Sequence, residues 1–249
     1  EPPRTRRDDP ESLLRSVRRA RAKVRDLALC TDFKYFVTLT LDKSKIDRYD
    51  VKEITKKLRV WADNHVRRHG LAYVLVPERH KDGAIHFHGF FNDALPVVDS
   101  GTMTHNTWNA PRKPRSARQR DEWARMGAHP VYNLPAWTLG FTTAIELYGT
   151  YEAAVSYVCK YIGKDMESGR SPPPDNEKTA LPMGKIGGRW YYSGGKLGCP
   201  QVTYCNLDLR DVAAMEGAYC FHVPDAGTSF AQVYIKKGEL VNADNHCKS

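Results

Sequence analysis

Two short segments hold side chains whose types and spacing could perform phosphoryl transfer. His86-Phe87-His88 sits in an apolar run. On a β-strand, residues two apart project to one face, so both imidazoles can approach a single divalent cation. Tyr157-Val158-Cys159-Lys160-Tyr161-Ile162-Gly163-Lys164 contains the unit Tyr-x-x-Lys twice. On a helix, positions 157, 160, 161 and 164 fall within an arc of roughly 100°, so two phenols and two ammonium groups share a face. A free phenol has a pKa of about 10 and is a poor nucleophile at neutrality. Lys160 and Lys164 would favour the phenolate and stabilise charge on a phosphate. A cation that polarises a phosphodiester beside paired tyrosines implies strand transfer on a nucleic acid, with the protein joined covalently to its product. One phenol permits a cut; a second permits another while the first bond persists. The plainer alternatives are a chance His-x-His pair and an amphipathic helix with two core tyrosines.

These side chains need a sheet and a helix to hold them. Residues 33–41 alternate, with Phe33, Tyr35, Val37, Leu39 and Leu41 on one side and Thr38 and Thr40 on the other, which predicts a strand. Asp50 and Glu53 have the spacing of a capping box, and Val51, Ile54, Leu58, Trp61 and His65 then follow at helical intervals. Strands are predicted over 71–77 and 84–91, joined through an Asp82-Gly83 turn. A hairpin centred on Asp82 places Glu78 opposite His86 and on the face shared by His88. Glu78, His86 and His88 thus form a candidate metal site with coordination positions left for phosphate. His80 is an alternative ligand nearer the turn. Phe90 stands where a third alternating histidine would be.

A polar insertion over 96–135 carries Arg112, Lys113, Arg115, Arg118, Arg120 and Arg125, of which the first five are candidate DNA contacts through phosphates. Trp108, Trp123 or Trp137 could stack on extruded bases, or could be core residues. A further strand is predicted over 137–147 and the tyrosine-bearing helix over 151–163. Ser171–Asp175 reads as a loop, and Gly187–Lys196 as strand and turn. The N-terminal segment, 1–30, predicts a basic helix, capped by Asp9 with Pro10 in its first turn, that is either a solvated surface helix or a contact to DNA phosphates. Strands interleaved with helices around a central hairpin predict an α+β fold with an antiparallel sheet.

The net charge of +9 over 249 residues favours a polyanionic partner. No apolar stretch has the length of a membrane span, and no signal peptide is visible in a chain that starts at Glu1. The six cysteines lack a Cys-x-x-Cys pair, which points to reduced thiols in a cytoplasmic protein. No Gly-x-x-x-x-Gly-Lys-Ser/Thr phosphate loop occurs, which argues against an ATP-driven motor.

Taken in order, Phe36-Val37-Thr38-Leu39-Thr40, His86-Phe87-His88-Gly89 and Tyr157-x-x-Lys160-Tyr161-x-x-Lys164 resemble the HUH endonucleases. More closely, they resemble the rolling-circle replication initiator (Rep) proteins of small plasmids and single-stranded DNA phages. The glutamate eight residues before His86 also fits. The resemblance covers roughly 33–165 and implies a nicking domain over 31–167, with 168–249 as an extension packed on it. It further implies an RRM-like sheet of about five strands with His86 and His88 on a central strand. Mg²⁺ or Mn²⁺ is the implied ion, and single-stranded or hairpin origin DNA the implied substrate. The product would be a 5′-phosphotyrosine with a free 3′-OH that primes synthesis. Tyr161 is the first choice of nucleophile and Tyr157 its alternate or helper, since some plasmid initiators place a glutamate at the latter position. With no helicase phosphate loop here, a host helicase and polymerase are the implied partners. Related readings are a transposase or a conjugative relaxase. A different class is a non-catalytic nucleic-acid-binding module with structural histidines.

Overall fold

Alternation makes β1 (Tyr35–Leu41) a two-faced strand, with Tyr35, Val37, Leu39 and Leu41 buried on one side and Phe36, Thr38 and Thr40 half-buried on the other. The computed structural model describes residues 10–80, 82–147, 151–164, 185–200, 218–225 and 228–235. Asp9 and the Ser171–Asp175 segment lie outside the described residues. The chain divides into two units, Glu1–Leu197 and Gly198–Ser249. In the second, β8 (Ala218–Asp225) and β9 (Thr228–Ile235) pair as an antiparallel hairpin.

The first unit is built on an antiparallel sheet. β1 lies between β3 (Ile85–Phe91) and β6 (Gly140–Glu146), and β2 (Tyr73–Arg79) pairs with the outer side of β3. β4 (Val98–Thr104), β5 (His129–Asn133) and β7 (Tyr192–Gly194) extend it to seven strands in the order β4-β5-β6-β1-β3-β2-β7. The expected count of about five is therefore too low. The 96–135 insertion is not an appendage, because it supplies β4, β5 and the exposed helix α3 (Ala117–Arg125) between them. Its first strand, Val-Asp-Ser-Gly-Thr-Met-Thr, has almost no apolar alternation. It is held by Met103 in the core and by the Ser100 hydroxyl, which donates to the Val131 carbonyl at 2.6 Å. Polar pairing of this kind leaves no hydrophobic period to read.

Each face of the sheet is covered by helices. α2 (Val51–His69) is capped by Asp50, whose carboxylate accepts from the amides of Lys52 and Glu53 at 2.9 and 3.0 Å. Its Ile54, Leu58 and Trp61 pack among Leu39, Leu75, Phe87 and Phe91. On the opposite face, α1 (Pro10–Cys30) and α4 (Tyr151–Tyr161) lie over Val74, Val76 and Phe90. α1 differs from the expected solvated helix, since Val17, Ala20, Val24, Leu27 and Ala28 are buried and only the arginine-rich side meets water. Among the described residues no helix is long and apolar enough to cross a membrane.

Candidate nucleic-acid processing site

Register decides what the strands present. Glu78 pairs with His86, as the hairpin centred on Asp82 predicts, while Thr40 pairs with His86 and Thr38 with His88 on the other flank. Directly paired residues share a face, so Glu78, His86, His88, Thr38 and Thr40 all project to the side that α4 overhangs. The Nδ1 atoms of His88 and His86 lie 3.2 and 3.4 Å from the hydroxyls of Thr38 and Thr40. Each ring is thus braced at Nδ1, so that Nε2 is the atom that would face a bound cation. Sequence reasoning placed both threonines on the correct face but gave them no role. Their signal was parity with the histidines across a neighbouring strand.

Glu78 accepts from His88 Nε2 at 2.9 Å through one carboxylate oxygen and from Lys164 Nζ at 2.5 Å through the other. Burial alone would raise its pKa, but these two bonds outweigh that effect and hold the carboxyl below its usual range. Burial, with His80 and His88 nearby, lowers the pKa of His86 and favours its neutral, ligating form. The His80 ring stacks on His86 at 5.1 Å between centroids.

Among the described residues no three His, Cys, Asp or Glu side chains stand gathered as a metal cage. The donor chemistry nevertheless suits a divalent ion: one carboxylate and two imidazoles share a face, with both Nδ1 atoms braced. A threonine hydroxyl can accept as well as donate. Thr38 can therefore serve His88 whether Nε2 carries a proton, as toward Glu78, or coordinates a cation.

α4 brings its tyrosines onto this face. The Tyr161 ring stacks on His88 at 4.4 Å with 12° between planes, and its hydroxyl donates to that of Tyr157 at 2.5 Å. Tyr157 is 46% exposed and meets the edge of Phe36. Beside it opens a cavity of about 230 Å³ lined by Phe36, His129, Ile145, Glu146, Leu147 and Ala154. The anchor joins burial to hydrogen bonds: Val155, Val158 and Ile162 are buried against α1, the Arg21 guanidinium donates to the Ile162 carbonyl at 2.8 and 3.1 Å, and the Tyr151 hydroxyl donates to the Ala28 carbonyl at 2.6 Å.

The helix ends two residues earlier than its sequence pattern predicts. Gly163 takes a φ of 80°, and a Cβ there would lie 3.0 Å from both γ-methyl carbons of Val17, so the chain can turn against α1 only with glycine. That turn sends Lys164 across to Glu78 and over the Tyr161 ring, 4.8 Å from its centroid. Lys160 stays exposed. The expected pair of phenol-activating lysines is therefore split. In this arrangement the Tyr161 phenol is pushed up, first by burial, then by the Tyr157 hydroxyl and the Glu78 charge.

The insertion's basic residues lie elsewhere. Arg112, Lys113, Arg115 and Arg118 are exposed, whereas Arg120 pairs with Asp99 at 2.6 Å. Arg112 lies over the Trp108 ring, which meets Trp123 edge-on at 4.8 Å. Trp137 is 3% exposed and packs on Trp61, so it is a core residue and no platform for bases.

The site is thus a sheet face bearing braced imidazoles beneath a tyrosine-bearing helix. Residues 34–166 match the model of the replication-associated protein ORF2/G2P family. The chain belongs to that family, and its role is that of a replication initiator; the family is generally nuclease-like. No curated protein and no solved structure matches the chain.

Proposed function

We propose that this initiator nicks and rejoins single-stranded or hairpin origin DNA as an HUH-type enzyme, starting rolling-circle replication through a 5′-phosphotyrosine. The observation that carries the reading is the Tyr161 ring stacked on His88, with its hydroxyl against that of Tyr157, above the face that holds Glu78 and His86.

In this reading Tyr161 Oη attacks the scissile phosphorus. A P–O bond to tyrosine forms as the P–O3′ bond breaks, and the phenolic proton is accounted for on the departing 3′-hydroxyl. Phosphodiester energy is retained, so the reverse attack by a 3′-hydroxyl rejoins the strand without ATP. Tyr157, hydrogen-bonded to Tyr161, is placed to take a second phosphoryl group or to assist the first transfer. Lys164, once released by Glu78, offers its ammonium group to charge developing on the phosphate. Glu78, His86 and His88 would hold Mn²⁺ or Mg²⁺, which polarises the phosphodiester and neutralises its charge. Unwinding and synthesis then fall to a host helicase and polymerase.

The test incubates the full chain with labelled single-stranded origin DNA and Mn²⁺ and looks for a protein–DNA band that survives denaturation. The band should need Tyr161 and disappear in EDTA. An undiminished band from Tyr161→Phe, Tyr157→Phe double-variant protein would sink the mechanism, as would full activity in EDTA.

A further inference from the structure

We propose that Phe141 is a stacking platform for an unpaired base of DNA lying across the candidate catalytic face. The proposal deepens the nicking reading and rests on that face being where single-stranded DNA lies.

Phe141 is 68% exposed, the most exposed large hydrophobic side chain among the described residues. It lies on an interior strand of the sheet and faces the same side as the candidate metal ligands. Phe141 pairs with Thr40, Thr40 with His86, and His86 with Glu78, an unbroken row across four adjacent strands. Two strand spacings, roughly 10 Å, separate the backbones at Phe141 and His86. The next row toward α4 is Thr143, Thr38 and His88. A polar floor therefore runs from the aromatic ring to the histidines and to the ring of Tyr161.

The backbone at this point is held closely. A Cβ on Gly140 would come 2.1 Å from the Thr40 carbonyl oxygen, so glycine lets β6 press against β1 and sets the origin of the Phe141 side chain. The surroundings suit a polyanion. The turn after β1 is tied to the residue preceding β6 by the Asp42 amide, which donates to the Leu139 carbonyl at 3.0 Å, and it carries exposed Lys43 and Lys45. Of the two carboxylates bounding that turn, Asp42 accepts from the amide and hydroxyl of Ser44, and Asp47 accepts from the Tyr49 amide. An exposed aromatic ring on a strand paired next to a lysine-bearing turn suits a nucleotide, since every base offers a π-face and every linkage a negative charge.

The experiment uses full-length protein carrying Tyr161→Phe, so that cleavage does not interfere, and measures its affinity for a fluorescent oligothymidylate without added metal. Adding Phe141→Ala should weaken binding by about fivefold or more. Phe141→Leu should weaken it similarly, and Phe141→Trp and Phe141→Tyr should restore it. The side chain is exposed, so these variants retain the parent's thermal unfolding midpoint. Equal affinities across the series overturn the proposal, as does a parent that binds no oligothymidylate. A self-association equilibrium altered by Phe141→Ala at constant DNA affinity assigns the ring to a protein contact and also overturns it. The adduct assay stands apart: no adduct together with Phe141-dependent binding sinks the nicking reading alone, and an adduct with equal affinities sinks the platform alone.

Discussion

The two halves of the candidate site are held in different ways. Glu78, His86 and His88 project from paired strands, where one register sets every side chain at once and the neighbouring strand supplies Thr38 and Thr40 as braces. Tyr157 and Tyr161 stand on α4, whose position depends on apolar and hydrogen-bonded contacts with α1, a segment more than a hundred residues distant in sequence. The strand half is set by a continuous backbone ladder, and the helix half by packing with a few side-chain hydrogen bonds to α1. The Lys164–Glu78 ion pair links the two halves.

The largest effect is expected from Tyr161→Phe, which should lower the adduct-forming rate by a factor on the order of a thousand or more, measured at saturating Mn²⁺. Tyr157→Phe should cost much less; a loss equal to that of Tyr161→Phe would reverse their assigned order. Next come the braces. Thr38→Val should weaken Mn²⁺ binding by roughly tenfold to a hundredfold in calorimetric titration, with little change in fold. Unchanged affinity would remove the threonine from the metal argument.

Packing is tested by a matched pair. Ile162→Ala beneath α4 and Leu39→Ala on the opposite face of the sheet should each destabilise by about 2–5 kcal/mol in urea denaturation. Only Ile162→Ala should slow adduct formation per folded molecule, since it loosens the seat of the tyrosines; equal slowing by both would erase the contrast. The smallest effect is a pH dependence remote from the site. Burial, followed by the nearby charges of His69 and Arg68, lowers the pKa of His65 below its ordinary 6.5. The unfolded chain then binds more protons than the native one below that pH, so stability should decline as pH falls from 6.5 through the native pKa. His65→Phe should flatten that decline.

Much of the strand half was legible beforehand because it rests on local rules. Alternation marked β1, the Asp82-Gly83 turn centred the β2–β3 hairpin, and parity then put Glu78 beside His86. Asp50 announced the start of α2. The insertion was misjudged for an equally local reason: Val98–Thr104 pairs with β5 across a bulge and carries no hydrophobic period. The termination of α4 was also hidden, since Gly163 turns there under the steric demand of Val17 on another helix. Phe141 drew no notice as one apolar residue in an expected strand, because exposure is a property of what fails to cover it.

By itself the chain determined which groups share a strand face or a helix face, since periods of two and 3.6 residues are properties of the backbone. Tertiary structure alone decided that Tyr161 lies on His88, that Lys164 goes to Glu78 while Lys160 remains in solvent, and that Phe141 is left bare. Those outcomes depend on how separate elements pack together. That packing is settled by the summed burial of side chains distant in sequence, which no local pattern encodes.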